Sequence, residues 1–148
     1  MASLEQKGFN EGVPSILNSS EPHMALLFLV DTSGSMGWPA TNPPIRHLND
    51  GLNRFKKEVA ENKQTKDILD VAVVEFNTNH RIIQEFLPVS HMNPVELTAT
   101  GGTVLSPAIR EALNLVNERS RFYRDLGTPP YKPWVILISD GAPSDDIT

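Results

Sequence analysis

Asp31-Thr32-Ser33-Gly34-Ser35 follows the apolar run Leu26-Leu27-Phe28-Leu29-Val30. A carboxylate and two hydroxyls at alternate positions bring three oxygen donors to one loop. Hard divalent cations take oxygen ligands, and Mg²⁺ takes them in near-octahedral order. In open α/β sheets, ligands bind outside the carboxyl ends of the strands, where this loop would lie. The chemistry suggested is the holding of a metal ion. Asp and Ser also cap helices readily, but Pro39, Pro43 and Pro44 separate them from the next helical pattern, so capping explains them poorly.

The elements that must position these donors are legible in the apolar pattern. A continuous apolar run such as Leu26 to Val30 fits a strand buried on both faces, as in a parallel sheet. Ile45, Leu48, Leu52, Phe55 and Val59 recur at steps of three and four and predict an amphipathic helix. Arg46, Asn53, Lys56, Lys57 and Glu58 fall between them as its solvent face. Ile68 to Phe76 predicts the next strand, Asn77 to His80 a tight turn, and Arg81 to Leu87 an antiparallel edge strand that ends in the stretch Pro88 to Pro94. Ser106-Pro107 marks a helix start, and Leu105, Ala108, Ile109, Ala112, Leu113 and Val116 trace its buried stripe. Trp134 to Ser139 is the last strand, after the loop Gly127 to Pro130. The expected class is α/β, a layered domain with a mostly parallel sheet and helices on both faces. The breaker-rich residues 1–22 read as an N-terminal arm or irregular lead-in, and 23–148 as the domain.

The 148 residues suit one domain, and a hydrophobic fraction of 39% supports a core. A formal net charge of −5 argues against a nucleic-acid surface. With no cysteine, disulfides and thiolate zinc sites are excluded. Met1 to Asn10 lacks the features of a secretory signal, and the run before Asp31 is short of the ~20 residues that cross a bilayer. A cytoplasmic location without membrane contact is therefore expected. His23, His47, His80 and His91 show no metal-ligand spacing and read as surface or loop residues.

Asp-x-Ser-x-Ser after a buried strand resembles the metal-ion-dependent adhesion site (MIDAS) of von Willebrand factor A (vWA) domains. That site also takes a threonine from a later loop and an aspartate from a later strand end. Here these match Thr103 in Ala99-Thr100-Gly101-Gly102-Thr103 and Asp140 in Ile138-Ser139-Asp140-Gly141. Taken singly, Thr103 is equally a helix cap and Asp140 an Asp-Gly turn. The resemblance implies a Rossmann-like three-layer fold in which Asp31, Ser33, Ser35, Thr103 and Asp140 hold Mg²⁺, with Mn²⁺ or Ca²⁺ as alternatives. It implies direct contacts from the hydroxyls, aspartates acting largely through water, and a partner protein's Glu or Asp completing the coordination, without chemical turnover. Gly34 and Gly37, like Gly101 and Gly102, would let the ligand loops turn tightly through positive φ. Met36 and Trp38 beside the loop form either an apolar rim for a partner or local packing. Asp145 and Asp146 either add negative potential near the site or belong to a solvated tail.

The wording Val30 to Met36, Leu48-Asn49-Asp50-Gly51-Leu52, Lys132-Pro133-Trp134 and Ser139 to Asp145 resembles the bacterial tellurite-resistance-associated vWA proteins. That branch implies a cytoplasmic adaptor in a stress or defence system. Complete domains of the family continue past the Asp140 strand, so the resemblance implies a C-terminally truncated domain. Residues 134–139 would then present an apolar edge open to self-association. The rival reading is a metal-dependent phosphohydrolase. A haloacid-dehalogenase-type enzyme would need an aspartate at position 33, where Ser33 stands, and a serine hydrolase would need glycine there.

Overall fold

The computed structural model describes residues 15–140. Four strands form one sheet in the order β3-β2-β1-β4: β1 Met24–Asp31, β2 Leu69–Phe76, β3 His80–Pro88 and β4 Trp134–Ile138. Strand β1 runs parallel to both β2 and β4, and β3 returns antiparallel along β2. Helix α1 (Pro44–Ala60) links β1 to β2, and helix α2 (Ser106–Leu126) links β3 to β4. Of the expected lead-in, residues 15–22 form no helix or strand.

Alternation along β1 explains the layering. Leu27 and Leu29 pack with Ala108, Ala112 and Val116 of α2, whereas Leu26, Phe28 and Val30 pack on the other face with Leu48 and Leu52 of α1. A strand covered on both faces has no polar side to show, which is why its sequence is uninterrupted apolar. Strand β4 differs. Among the described residues it lies at the sheet edge, and Trp134, Val135 and Leu137 are exposed.

Helix α2 extends well beyond the Leu105–Val116 stripe, to Leu126. Its last turns bury Arg119, Phe122 and Tyr123, and Gly127 closes it in left-handed backbone with φ 74°. The buried arginine interrupts the apolar pattern. It belongs to a polar cluster at the sheet end opposite Asp31, centred on Asp70 of β2. The Asp70 Oδ2 atom accepts hydrogen bonds from His23 Nδ1 (2.9 Å), Arg119 Nη2 (3.2 Å) and the Tyr123 hydroxyl. All four side chains are buried. Arg119 also donates to the Ser15 carbonyl (2.6 Å), which fixes residues 15–23 against the sheet.

His23 is therefore a buried ion-pair partner, a correction to its reading as a surface residue. Its Nδ1 faces a carboxylate and its Nε2 faces the Asn18 carbonyl (3.1 Å), so the doubly protonated ring is the form that satisfies both acceptors. Burial alone would lower its pKa, but the hydrogen bond and charge of Asp70 and the Asn18 carbonyl outweigh burial and raise it. A raised folded-state value means this stabilisation is complete below about pH 6.5, the unperturbed range, and is lost as pH rises through the folded value. The melting temperature is expected to fall as pH rises from mildly acidic to alkaline. His23→Gln should flatten that profile, and an unchanged profile in the variant would show that His23 does not carry it.

Candidate metal centre

Parallel pairing decides where the donors meet. Asp31 ends β1 opposite Phe76 of β2, and Val30 is opposite Ile138 of β4, so Ser139 and Asp140 leave the sheet beside Asp31. The Asp31 carboxylate is buried and engaged on both oxygens. Oδ1 accepts the Ser33 backbone N–H (2.8 Å), and Oδ2 accepts the Ser139 hydroxyl (2.7 Å). The Ser33 and Ser35 hydroxyls lie 3.1 Å apart, and Ser35 Oγ donates to Asp140 Oδ1 (3.2 Å). Asp31, Ser33, Ser35 and Asp140 thus form one continuous group of oxygens across two strand ends.

The Thr103 loop is brought in by backbone. Gly34 N–H donates to the Gly101 carbonyl (2.8 Å), and Thr100 N–H donates to the Thr32 carbonyl (2.7 Å). The β2–β3 turn grips the other side: Thr78 Oγ1 accepts the Gly102 N–H (2.8 Å), and the Asn77 carbonyl accepts the Val104 N–H (2.8 Å). Upstream, two asparagines of α1 hold the same connection as a strand would. Asn49 pairs with both backbone groups of Leu97, and Asn53 with both of Val95, at 2.8–3.0 Å. Asn53, read from periodicity as part of a solvent face, is a clamp.

Thr32, Asn49, Asn53, Asn77, Thr78 and Ser139 are the positioning residues that sequence reasoning missed. Each is a small polar residue, at or beside a strand end or, for Asn49 and Asn53, within α1, and nothing in its type distinguishes it from an ordinary turn or surface residue. The glycines also act differently from expectation. Backbone φ is positive at Gly101 (75°), but not at Gly34 or Gly37. Gly34 favours closeness instead, since a Cβ there would make a tight 3.3 Å contact with the Gly101 carbonyl oxygen. Met36 is buried under the loop, so only Trp38 of the two rim candidates is presented to solvent, at 75% exposure. Asp145 and Asp146 lie outside the described residues.

The donor set is chemically a hard-cation set. Among the described residues no three His, Cys, Asp or Glu side chains converge, so the site offers hydroxyls backed by two carboxylates. Two cis ligands of an octahedral ion at about 2.1 Å are about 3.0 Å apart. The Ser33–Ser35 hydroxyl pair, at 3.1 Å, already has that spacing.

The fold recurs in solved structures. The pilus adhesin SpaC from Lactobacillus rhamnosus GG superposes with a TM-score of 0.67 at 16% identity, over 89% of this chain and 17% of that one. The vWF domain of the type V pili tip protein Mfa5 from Porphyromonas gingivalis gives 0.62 at 17% identity, over 82% of this chain and 39% of that one. The fold is the vWF-type fold. It is shared by proximal thread matrix protein 1 of the mussel byssus, solved with its MIDAS motif occupied by zinc, at a TM-score of 0.53 and 19% identity, over 87% and 31% of the two chains. Against each of these proteins the chain spans less than half of the other's length. No protein-family model matches the sequence, and no curated protein matches it.

Proposed function

We propose that this vWF-type domain is a divalent-cation-dependent protein-binding module with no turnover of its own. The observation that carries the reading is the pair of serine hydroxyls 3.1 Å apart, set between Asp31 and Asp140 at adjacent parallel strand ends. In this reading Ser33, Ser35 and Thr103 supply neutral oxygens to the ion, while Asp31 and Asp140 balance its charge. The ion would fix and polarise an oxygen ligand from outside. Mg²⁺ is the ion proposed, because the hydroxyl spacing is compatible with the cis edge of a small octahedral ion, with Mn²⁺ or Ca²⁺ as alternatives. An ion held largely by neutral protein oxygens has capacity left for an anion, so the partner group is a Glu or Asp carboxylate. The phosphohydrolase reading lacks the aspartate it needs at position 33, where Ser33 stands, which supports binding over phosphohydrolysis.

A cytoplasmic adaptor role in a bacterial stress or tellurite-resistance-type system is part of the proposal and rests on motif wording alone. Self-association through β4 is a further part of the proposal: among the described residues it is an edge strand with Trp134, Val135 and Leu137 exposed, and an apolar edge is a template for another strand.

Selection of peptides from a random displayed library in Mg²⁺ tests the reading. Enriched peptides are expected to carry an Asp or Glu whose amide replacement abolishes binding, and EDTA should release them. Enrichment of peptides without acidic residues, or binding indifferent to EDTA, would contradict it. Mg²⁺-dependent phosphate-ester hydrolysis lost in Asp31→Asn would replace it with the phosphohydrolase reading.

A further inference from the structure

The connection from β3 to α2 reaches the metal centre along α1. Residues 93–100 form no helix or strand, yet Val95 and Leu97 are buried and Glu96 and Thr98 exposed, the alternation of an extended chain. Asn49 and Asn53 give that chain the pairing a neighbouring strand would give. They stand one turn apart on α1, about 6.0 Å along its axis, and alternate residues of an extended chain repeat at about 6.6 Å. The match lets one carboxamide serve one residue. Each Oδ1 accepts a backbone N–H and each Nδ2 donates to the carbonyl of the same residue, Leu97 for Asn49 and Val95 for Asn53.

The stitching runs on into the serine loop. A Cβ at Gly37 would make a tight 3.1 Å contact with the Ala99 Cβ, Thr100 N–H donates to the Thr32 carbonyl, and Gly34 N–H donates to the Gly101 carbonyl. Val95, Leu97, Ala99, Thr100 and Gly101 are thus held in turn by α1 and by the loop that carries Ser33 and Ser35, and Thr103 follows two residues later. The separation of Thr103 from the two serines is therefore set by a ladder whose lower rungs are Asn49 and Asn53.

We propose that Asn49 and Asn53 are positioning residues that set the preference of the metal centre for Mg²⁺ over Ca²⁺. The inference rests on the metal reading and deepens it by naming what selects the ion. Mg²⁺ demands near-ideal octahedral geometry at about 2.0–2.1 Å, whereas Ca²⁺ accepts longer and less regular contacts, so a rigidly held set of oxygens favours the smaller ion. The ladder supplies that rigidity from outside the ligand set.

The test titrates the folded chain with Mg²⁺ and with Ca²⁺ by calorimetry, in the wild type, Asn49→Ala and Asn53→Ala, and follows amide hydrogen exchange in the metal-free proteins. In both variants Mg²⁺ affinity is expected to fall about tenfold, the lower end for loss of support behind metal ligands. Ca²⁺ affinity should fall by less, so the Mg²⁺-to-Ca²⁺ affinity ratio drops. Exchange at the Gly34 and Thr100 amides should quicken without any metal present. Val59→Ala is the control for simple destabilisation: it removes core packing from the last turn of the same helix, beyond the asparagines, and should leave the ratio unchanged. Should an asparagine variant not fold, Gly37→Ala carries the test by pressing a methyl on Ala99 from the serine loop, and the same drop is expected. Equal losses for the two ions, unchanged exchange at Gly34 and Thr100, a wild type that prefers Ca²⁺, or the same drop in Val59→Ala would overturn the proposal and leave the metal reading standing. A wild type that binds neither ion would overturn the metal reading itself, and the proposal with it.

Discussion

Asp70→Asn is expected to destabilise the fold by about 3–5 kcal/mol, the cost of breaking a buried ion pair by removing one partner. Asp70 is the carboxylate that balances His23 and Arg119, and all three side chains are buried. Asparagine keeps the shape and one acceptor oxygen but removes the charge. His23 can then lose its proton, whereas Arg119 cannot. Arg119 also stacks against Phe122 and Tyr123, at 4.5 and 5.0 Å from the ring centroids, in surroundings that leave its charge little alternative solvation. In a domain of this size the loss corresponds to a fall in melting temperature of about 10 °C. The variant should also lose the pH dependence assigned to His23. Because the cluster lies at the sheet end opposite Asp31, Mg²⁺ should still stabilise whatever remains folded. A variant that melts within a degree or two of the wild type would show that the cluster's charges are compensated elsewhere.

Gly101→Ala is expected to damage the site through the backbone. Its φ of 75° strains any residue with a Cβ, at about 1–3 kcal/mol. A Cβ there would lie 2.7 Å from Thr78 Oγ1, a separation that real Cβ contacts do not show. Thr78 can escape by rotating, but it then gives up the Gly102 N–H. The clash or its relief adds about 1–3 kcal/mol more. The Gly101 carbonyl that accepts the Gly34 N–H moves as well, so the Thr103 loop separates from the serine loop and metal affinity falls. Denaturant unfolding and a metal titration measure the two effects. Gly102→Ala is the control, since its Cβ would meet Thr78 Oγ1 at an ordinary 3.5 Å and its φ is not positive.

Much of the sheet was legible because burial on two faces leaves a simple trace. Leu26 to Val30 and Val71 to Phe76 are almost uninterrupted apolar runs, and Asp31 and Asp140 could be placed at one sheet end from strand polarity alone. The period-3.6 stripe of α1 was equally plain, and the structure extends it by only a residue or so at each end. The Asp70 cluster was illegible for the same physical reason in reverse. His23, Asp70 and Arg119 each read singly as solvent-seeking, and they become buried only because each satisfies another, a relation between residues up to 96 positions apart (His23 to Arg119). The supports of the site were hidden likewise. Ser139 holds Asp31 from 108 residues away, and the pairing of Asn49 and Asn53 with Leu97 and Val95 depends on where α1 lands on the loop. Donor types can be read locally, but the partners that orient them are a product of the fold.

Thermal melting with and without Mg²⁺, in the wild type and in Asp31→Ala, tests the metal centre most directly. An ion that binds only the folded chain stabilises it by mass action, about 2.7 kcal/mol at a hundredfold excess over the dissociation constant. That corresponds to a rise of about 5–10 °C for a domain of this size. The account predicts this rise in the wild type, its reversal by EDTA, and its absence in Asp31→Ala. A wild type that melts at the same temperature in saturating Mg²⁺, Mn²⁺ and Ca²⁺, or an equal rise in Asp31→Ala, would contradict it.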